Sequence, residues 1–417
     1  MWDPYAEFES ATLPNGLTVH ATHWPGRPWE AMGFLFHSGA EQDPIGLEGL
    51  SHFDEHLVSK NARVSPSDLQ LFFDDCGGRV KLGETRDQST VYHFFVPADH
   101  KILTDAFSIF GHMLLSAKLK RCIEHERRVV IEEFKWHYQT NLKLDLARRE
   151  RRAVYAGCWL ERFVRPLGHP ESVGRMTQQD LQQHYDAHYT PANLSIVGVG
   201  GMRLLELVHL LENSPFAVSK PGMRTPLPIP MTEVVQPTEN RHVVEMSSYI
   251  SMQINSCAYR SVARVPGIVT KRTMRIMRSM LREILDEEIR QRRGWTYATT
   301  TGCIFYRYFH QFTIHCDSFA PDAITDIEEI IETCIRSIAS RRDLFDRVKR
   351  HALVSNSLLD PTGIGVCDDA LDDLEEEQRI VTLTEVQEDL ERVTFEDVLN
   401  AAQWIVPERR WTLLIRP

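Results

Sequence analysis

The chain is predicted to adopt an α+β fold of two homologous domains in tandem, each a mainly antiparallel sheet packed with helices. Three observations carry this. The first is an internal repeat: "MTQQDLQQHYDAHYTPANLSIVGVG" from Met176 and "VTFEDVLNAAQWIVPERRWTLLIRP" from Val393 run through the same signals in the same order. Each opens with a threonine at a helix N-cap and an aspartate three residues on, Thr177 with Asp180 and Thr394 with Asp397. A helical apolar pattern follows, then a proline-containing break, then a β-rich strand. Thr394 lies 217 residues after Thr177 in a chain of 417, so duplication of one unit accounts for both. The second observation is that strand patterns come as neighbours with helices grouped after them, the mark of an α+β layer rather than a regular βα alternation. The third is "SKPGMRTPLPIPMTEVVQPTEN", residues 219–240, proline-rich and without apolar periodicity, where a linker between the two copies belongs.

The elements follow in order. In the first copy, residues 1–218, "LTVHATHW" and "AMGFLFHSG" have strand character, Gly49 to Ser59 has helical character, and "STVYHFFVP" is a further strand before two or more long helices through about residue 160. The second copy, residues 241–417, repeats this with "HVVEMSSYISMQINSCAY", a helix from about Val269 to Arg292, and the strands "WTYATTTGC" and "FHQFTIHC". Two domains of about 200 residues suit the length, since one hydrophobic core stops growing at about 250–300 residues.

Composition narrows the class. Hydrophobic residues make up 42% and charged residues 25%, the mixture of a globular protein, and no transmembrane run is present. The start, "MWDPYAEFESATLPNG", is acidic and shows neither a secretory signal nor an Arg-rich transit peptide, so a cytoplasmic enzyme is expected. Cys76, Cys122, Cys158, Cys257, Cys303, Cys316, Cys334 and Cys367 form no C-x-x-C pair, which suits reduced thiols. The net charge of −11 argues against a nucleic-acid partner and is compatible with a basic peptide. The acidic run 368–378 and the basic run "RRERR", 148–152, read as helix faces in water.

The chemistry sits in "GLEGLSHFDEHLVSKN", residues 46–61. On a helix turning about 100° per residue, His52 and His56 lie about 40° apart and Glu55 about 60° to the other side of His52. Imidazoles so placed can both reach one tetrahedral metal. A catalytic zinc site takes three protein ligands and leaves a position for water, and a neighbouring glutamate can accept that water's proton. A second helix, "EHERRVVIEEFKWHY", carries Glu126 and Glu133 seven apart, two turns along one face. One can be the third ligand and the other a carboxylate that orients a ligand histidine. Glu124 and Glu132 compete on spacing alone.

His52, Glu55, His56, Glu126 and Glu133 together resemble the inverted zinc motif of the pitrilysin/insulinase-like metallopeptidases, H-x-x-E-H with two downstream glutamates. Sixty-nine residues separate His56 from Glu126 and six separate Glu126 from Glu133. The resemblance extends through "GHPESVGRMTQQDLQQHYDAHYTPANLSIVGVG" and to "EIRQRRGWTYATTTG", which is similar to the family's R-G-x-x-Y segment. It implies His52, His56 and Glu133 as zinc ligands, Glu55 as the base and Glu126 as a supporting carboxylate. It implies Arg293 and Tyr297 near a peptide substrate, where bare sequence reads Arg293 as a helix-end ion-pair donor and Tyr297 as a strand residue packed on the core. It also implies half of a pitrilysin-type clamshell, hence a homodimer or a heterodimer with a related subunit, of the short-chain processing-peptidase kind.

The activity so implied is zinc-dependent endopeptidase cleavage of short or unfolded peptides, most simply the processing of a leader or precursor. The alternative is a catalytically silent subunit of a peptidase-like complex. Two positions depart from the family pattern. Lys81 and Leu82 stand where an Asn-Ala dipeptide is usual on the strand that receives substrate, with an extra residue nearby, and Asp54 stands where an apolar residue is common. Asp54 lies about 200° round the wheel among apolar neighbours, so it is expected to be no metal ligand and to have a hydrogen-bonding partner of its own.

Overall fold

Backbone hydrogen-bond ladders pair the strands into two sheets in the computed structural model. It describes residues 2–61, 65–138, 141–219, 221–226, 236–245, 257–319, 323, 325–357 and 361–416. The first sheet holds β1 (Glu9–Thr12), β2 (Thr18–His23), β3 (Trp29–Phe36), β4 (Arg79–Thr85), β5 (Thr90–Pro97) and β6 (Leu194–Gly200), in the order β1-β2-β6-β3-β5-β4. The second holds β7 (Arg241–Glu245), β8 (Cys257–Pro266), β9 (Thr299–Phe305), β10 (Phe309–Phe319) and β11 (Arg410–Arg416), in the order β7-β11-β8-β10-β9.

From β2 onward the two orders match strand for strand. Each sheet has one parallel pair, β2 with β6 and β7 with β11, followed by antiparallel neighbours out to an edge strand, β4 or β9. The repeat is therefore one topology used twice. Its threonine signals are real capping boxes: Thr177 caps Asp180 N–H and Thr394 caps Asp397 N–H, with each aspartate reaching back to the threonine N–H.

The helices fall into two contact units that interleave along the chain. Unit 1 comprises Met1–Tyr138, Arg165–Pro228 and Asp360–Thr382. It holds α1 (Leu50–Lys60), α2 (Pro66–Asp75), α3 (His100–Leu115), α4 (Ile123–His137), α6 (Pro170–Arg175), α7 (Gln178–His188), α8 (Leu204–Glu212), α9 (Pro215–Val218) and α13 (Gly363–Glu376). Unit 2 holds α5 (Asn141–Val154), α10 (Lys271–Leu285), α11 (Ile327–Ser337), α12 (Arg342–Ser357), α14 (Leu383–Arg392) and α15 (Phe395–Ala402). α10 runs on as a short π-helix over Asp286–Gln291.

The contiguous boundaries at 218 and 241 miss an exchange. α5 packs on β8 and β11 and so belongs with the second sheet, whereas α13 packs on β3 and β6 and belongs with the first. The physical reason is burial. The apolar stripe of α13, Val366, Cys367, Ala370, Leu371 and Leu374, finds its apolar partner on the first sheet, where Leu371 approaches Gly33. Of the expected linker 219–240, residues 220 and 227–235 lie outside the described residues, as does 246–256 of the expected strand region.

The two charge runs are only partly solvated. In the acidic run, Asp372 and Glu375 hold Arg86 at 2.6 and 3.1 Å, and in the basic run Arg149 pairs with Glu239 at 2.6 Å. Unit 1 has a phenylalanine-rich core in which Phe34 contacts Phe94, Phe110 and Phe216, while unit 2 packs Met274, Met277, Met280, Ile331 and Ile335. No described helix is long and apolar enough to cross a membrane.

Candidate metal centre

α1 brings the opening motif onto one edge. Its N-cap is Gly49 at φ 97°, a left-handed position where a Cβ would stand 2.6 Å from Gly168 Cα, so glycine is required both by the dihedral and by the close approach. Asp43 caps this end from outside the helix, accepting from Gly49 N–H at 2.6 Å and from Ser51 N–H at 2.8 Å. A carboxylate here also complements the helix dipole.

α4 packs against α1 and presents its two glutamates to the histidines. Glu133 Oε2 lies 3.6 Å from His52 Nε2 and 3.4 Å from His56 Nε2. On the other side of the same ring, His56 Nδ1 lies 3.3 Å from Glu126 Oε2. His56 thus stands between two carboxylates placed two helical turns apart. The structure also separates the competitors: Glu124 pairs with Arg127 at 3.2 Å and Glu132 with Lys135 at 2.6 Å, both exposed. His52, Glu55 and His56 offer donor atoms within 4.8 Å of one another.

These spacings fit a bound metal. A tetrahedral shell with bonds of about 2.0–2.1 Å sets neighbouring donor atoms about 3.3 Å apart, close to the 3.4 and 3.6 Å seen for the His/Glu set. Protonation favours it at His52, whereas His56 must give up a proton to the metal. Burial, with His56 nearby, pushes His52 down to about 3, keeping it neutral as a ligand must be. Burial also pulls on His56, yet the carboxylates of Glu133, Glu55 and Glu126 outweigh it and hold that ring above its usual value. Glu133 is held low, first by its hydrogen bond with His56. Glu55, half-buried beside β4, is pushed by desolvation up to about 7, against the pull of His56.

Glu55 faces the edge strand β4. Thr85 Oγ1 lies 3.5 Å from its Oε2, and a Cβ on Gly83 would fall 2.2 Å from its Oε1. Gly83 has φ 133°, and the β4–β5 register shifts between Lys81 and Glu84. The extra residue noted in the sequence is therefore absorbed as a bulge, and the bulge lays a side-chain-free residue over the Glu55 carboxylate. Lys81 itself turns to an ion pair with Glu84.

The reverse side of α1 holds Asp54. It is fully buried, and its Oδ2 lies 2.8 Å from His184 Nδ1 on α7. Burial drives both groups toward their neutral forms, Asp54 upward and His184 downward. Asp54 thus has the partner expected of a carboxylate on an apolar face, on the side of α1 away from His52 and His56. His184 and Gly83 were missed by sequence reasoning. His184 lies 130 residues from Asp54 in an unremarkable helix, whereas Gly83 did sit beside the extra residue that was seen.

Two family profiles match this chain in tandem. "Insulinase (Peptidase family M16)" covers residues 19–156, including every residue of the cluster, and "Peptidase M16 inactive domain" covers residues 175–351. The chain belongs to the pitrilysin/insulinase-like M16 peptidase family. Among M16 relatives, it is 25% identical over 210 residues to the mitochondrial-processing peptidase subunit beta of Blastocladiella emersonii, covering 48% of this chain and 43% of that one. It is 22% identical over 363 residues to an uncharacterized zinc protease of Streptomyces coelicolor, covering 83% of this chain and 73% of the relative. The matched region thus spans less than half of the processing-peptidase subunit. The periplasmic protease PqqL of Escherichia coli shares the fold, with a TM-score of 0.82 at 15% identity over 98% of this chain and 47% of PqqL. This M16 chain is accordingly equivalent in fold to about half of that larger protease.

Arg293 and Tyr297, which the resemblance implies near a peptide substrate, lie in unit 2. Arg293, just past the π-helix, pairs with Glu288 at 2.8 Å and lies over the Trp295 ring. The bare-sequence reading of a helix-end ion pair holds for it. Tyr297 differs from that reading: it precedes β9 and is 89% exposed, with Arg290 over its ring.

Proposed function

We propose that this chain is a zinc-dependent endopeptidase acting on short or unfolded peptides, with the processing of a leader or precursor peptide as its task. The observation that carries the reading is the convergence of His52 Nε2 and His56 Nε2 on Glu133 Oε2 at 3.6 and 3.4 Å beside Glu55. His52, His56 and Glu133 hold the zinc. When bound, zinc supplies Lewis-acid activation of a water molecule and of the peptide carbonyl.

The chain's own residues do the rest. Glu126 accepts from Nδ1–H of His56, which fixes the tautomer that leaves Nε2 with its lone pair. Glu55 takes the proton given up by the attacking water and returns one to the leaving amine. β4 is the edge strand of its sheet, suited to adding a peptide as a further strand. Gly83 lets β4 approach the Glu55 carboxylate more closely than any other residue could. Arg293 and Tyr297 hold the peptide backbone or the scissile carbonyl. The working form is a homodimer, or a heterodimer with a related subunit.

Metal analysis together with peptide cleavage, on the wild type and on Glu55→Gln, tests the reading. We expect one zinc per chain in both proteins and cleavage only in the wild type. Zinc bound with no Glu55-dependent cleavage of any peptide would leave a silent subunit instead. Light scattering of the purified chain tells a homodimer from a chain that needs a different partner.

A further inference from the structure

Unit 2 carries a basic cleft that the metal chemistry does not use. It lies between α10, α12 and α14 and encloses about 730 Å³. Arg272, Arg275, Arg278, Arg282 and Arg347 line it against a single carboxylate, Glu283. That carboxylate is already taken by Arg347 at 2.5 Å. Arg275, Arg278 and Arg282 make no ion pair among the described residues. The chain as a whole holds 58 acidic against 47 basic residues, and several other arginines of the same unit are matched, Arg241 by Glu328, Arg260 by Glu150, Arg290 by Asp286 and Arg292 by Glu287, while Arg264 and Arg409 rest on aromatic rings instead. What sets the cleft apart is that three guanidinium groups without an ion pair among the described residues gather in one place.

We propose that this cleft binds an extended, acidic polypeptide segment. Three physical features select that occupant. Arg272 to Arg282 spans ten residues, about 15 Å of helix, the length of roughly five residues of extended chain. One phosphate or carboxylate would engage only part of it. The floor is apolar, with Ile276, Val348 and Leu390, so side chains as well as charges have a place to go. The net charge of −11 repels a long polyanion, whereas a short segment feels chiefly the charges within about 8–10 Å. Guanidinium forks match carboxylates two bonds at a time, and arginine clusters are a recurrent way of reading acidic motifs. Arg275 is preset by the Phe305 ring, over which it lies at 5.5 Å.

The test is fluorescence anisotropy with a labelled hexaglutamate peptide at low salt, on the full chain and on Arg275→Gln/Arg278→Gln/Arg282→Gln. We expect binding that the triple substitution weakens at least tenfold and that added salt weakens steeply. Hexalysine should not bind, and Arg342→Gln, outside the cleft, should bind as the wild type does. Melting curves establish that the variants fold. Should the triple variant fail to fold, the single substitutions Arg278→Gln and Arg282→Gln must each weaken binding. The assignment is overturned by absent hexaglutamate binding or by equal affinity of folded variants and wild type. It is likewise overturned if inorganic tripolyphosphate or a six-nucleotide single-stranded DNA binds more tightly than hexaglutamate.

Discussion

The helix pairs α1/α4 and α10/α12 hold corresponding places in two copies of one topology. α1 joins β3 to β4 by way of α2, and α10 joins β8 to β9; α4 and α12 are each the second helix after the next strand, and each packs on its partner. Their contents are opposed. α1/α4 turns imidazoles and carboxylates toward each other, and α1 buries a carboxyl–imidazole pair behind them. α10 buries only Thr273 among methionine, isoleucine and leucine, and its arginines line the surface beside α12. The shared backbone therefore supplies a packed helix pair, and the side chains alone decide whether it gathers imidazoles with carboxylates or a row of guanidinium groups.

Zinc should separate the two pairs most widely. At zinc about a thousandfold above its dissociation constant, linkage adds about 4 kcal/mol to the stability of the binding unit. Hydrogen exchange should show amides of α1 and α4 gaining protection while those of α10 and α12 do not, and Glu133→Gln should abolish the gain. Equal protection of both pairs would break the contrast.

The buried side of α1 gives the next effect. His184→Ala leaves Asp54 without its partner and should lower unfolding stability in urea by about 3 kcal/mol. Replacing both by leucine, which makes this side apolar as in α10, should recover much of that loss. No recovery would mean that the polar pair is needed for the packing itself.

Within the candidate site, Glu126→Gln should reduce zinc affinity by about 10- to 100-fold in a chelator competition, the size typical of a carboxylate behind a ligand histidine. An unchanged affinity would remove Glu126 from the site. The smallest effect expected is that of Gly83→Ala: about a tenfold fall in kcat/KM with about 1 kcal/mol of lost stability, because the added methyl strains a positive φ and crowds Glu55. A variant as active as wild type would show that β4 yields easily.

The α1/α4 site was legible because helical periodicity turns fixed spacings into a shared face. His52 with His56 and Glu126 with Glu133 are local patterns, and the family resemblance ties the two helices together. Spacing alone left Glu124 and Glu132 in competition, and the choice of Glu133 came from the family resemblance. The tandem fold was legible from two capping boxes and two strands. What escaped is non-local. The apolar stripe of α13 announces a buried face and says nothing of which sheet buries it. Asp54 announced a need for a partner, and only the fold could supply His184. The arginines of α10 carried no local signal of the cleft that they line beside α12.

The exchange of α5 and α13 also governs the order in which the protein can be made. The first sheet has all its strands once residue 200 is synthesised, yet the helix that covers β3 and β6 arrives only with residues 363–376. During translation that apolar face stays open while the whole of β7 to β10 is being added. Neither unit can be released as a finished piece by a single cut in the chain, and the newborn polypeptide depends on late, long-range closure, the situation in which chaperones and slow folding matter most.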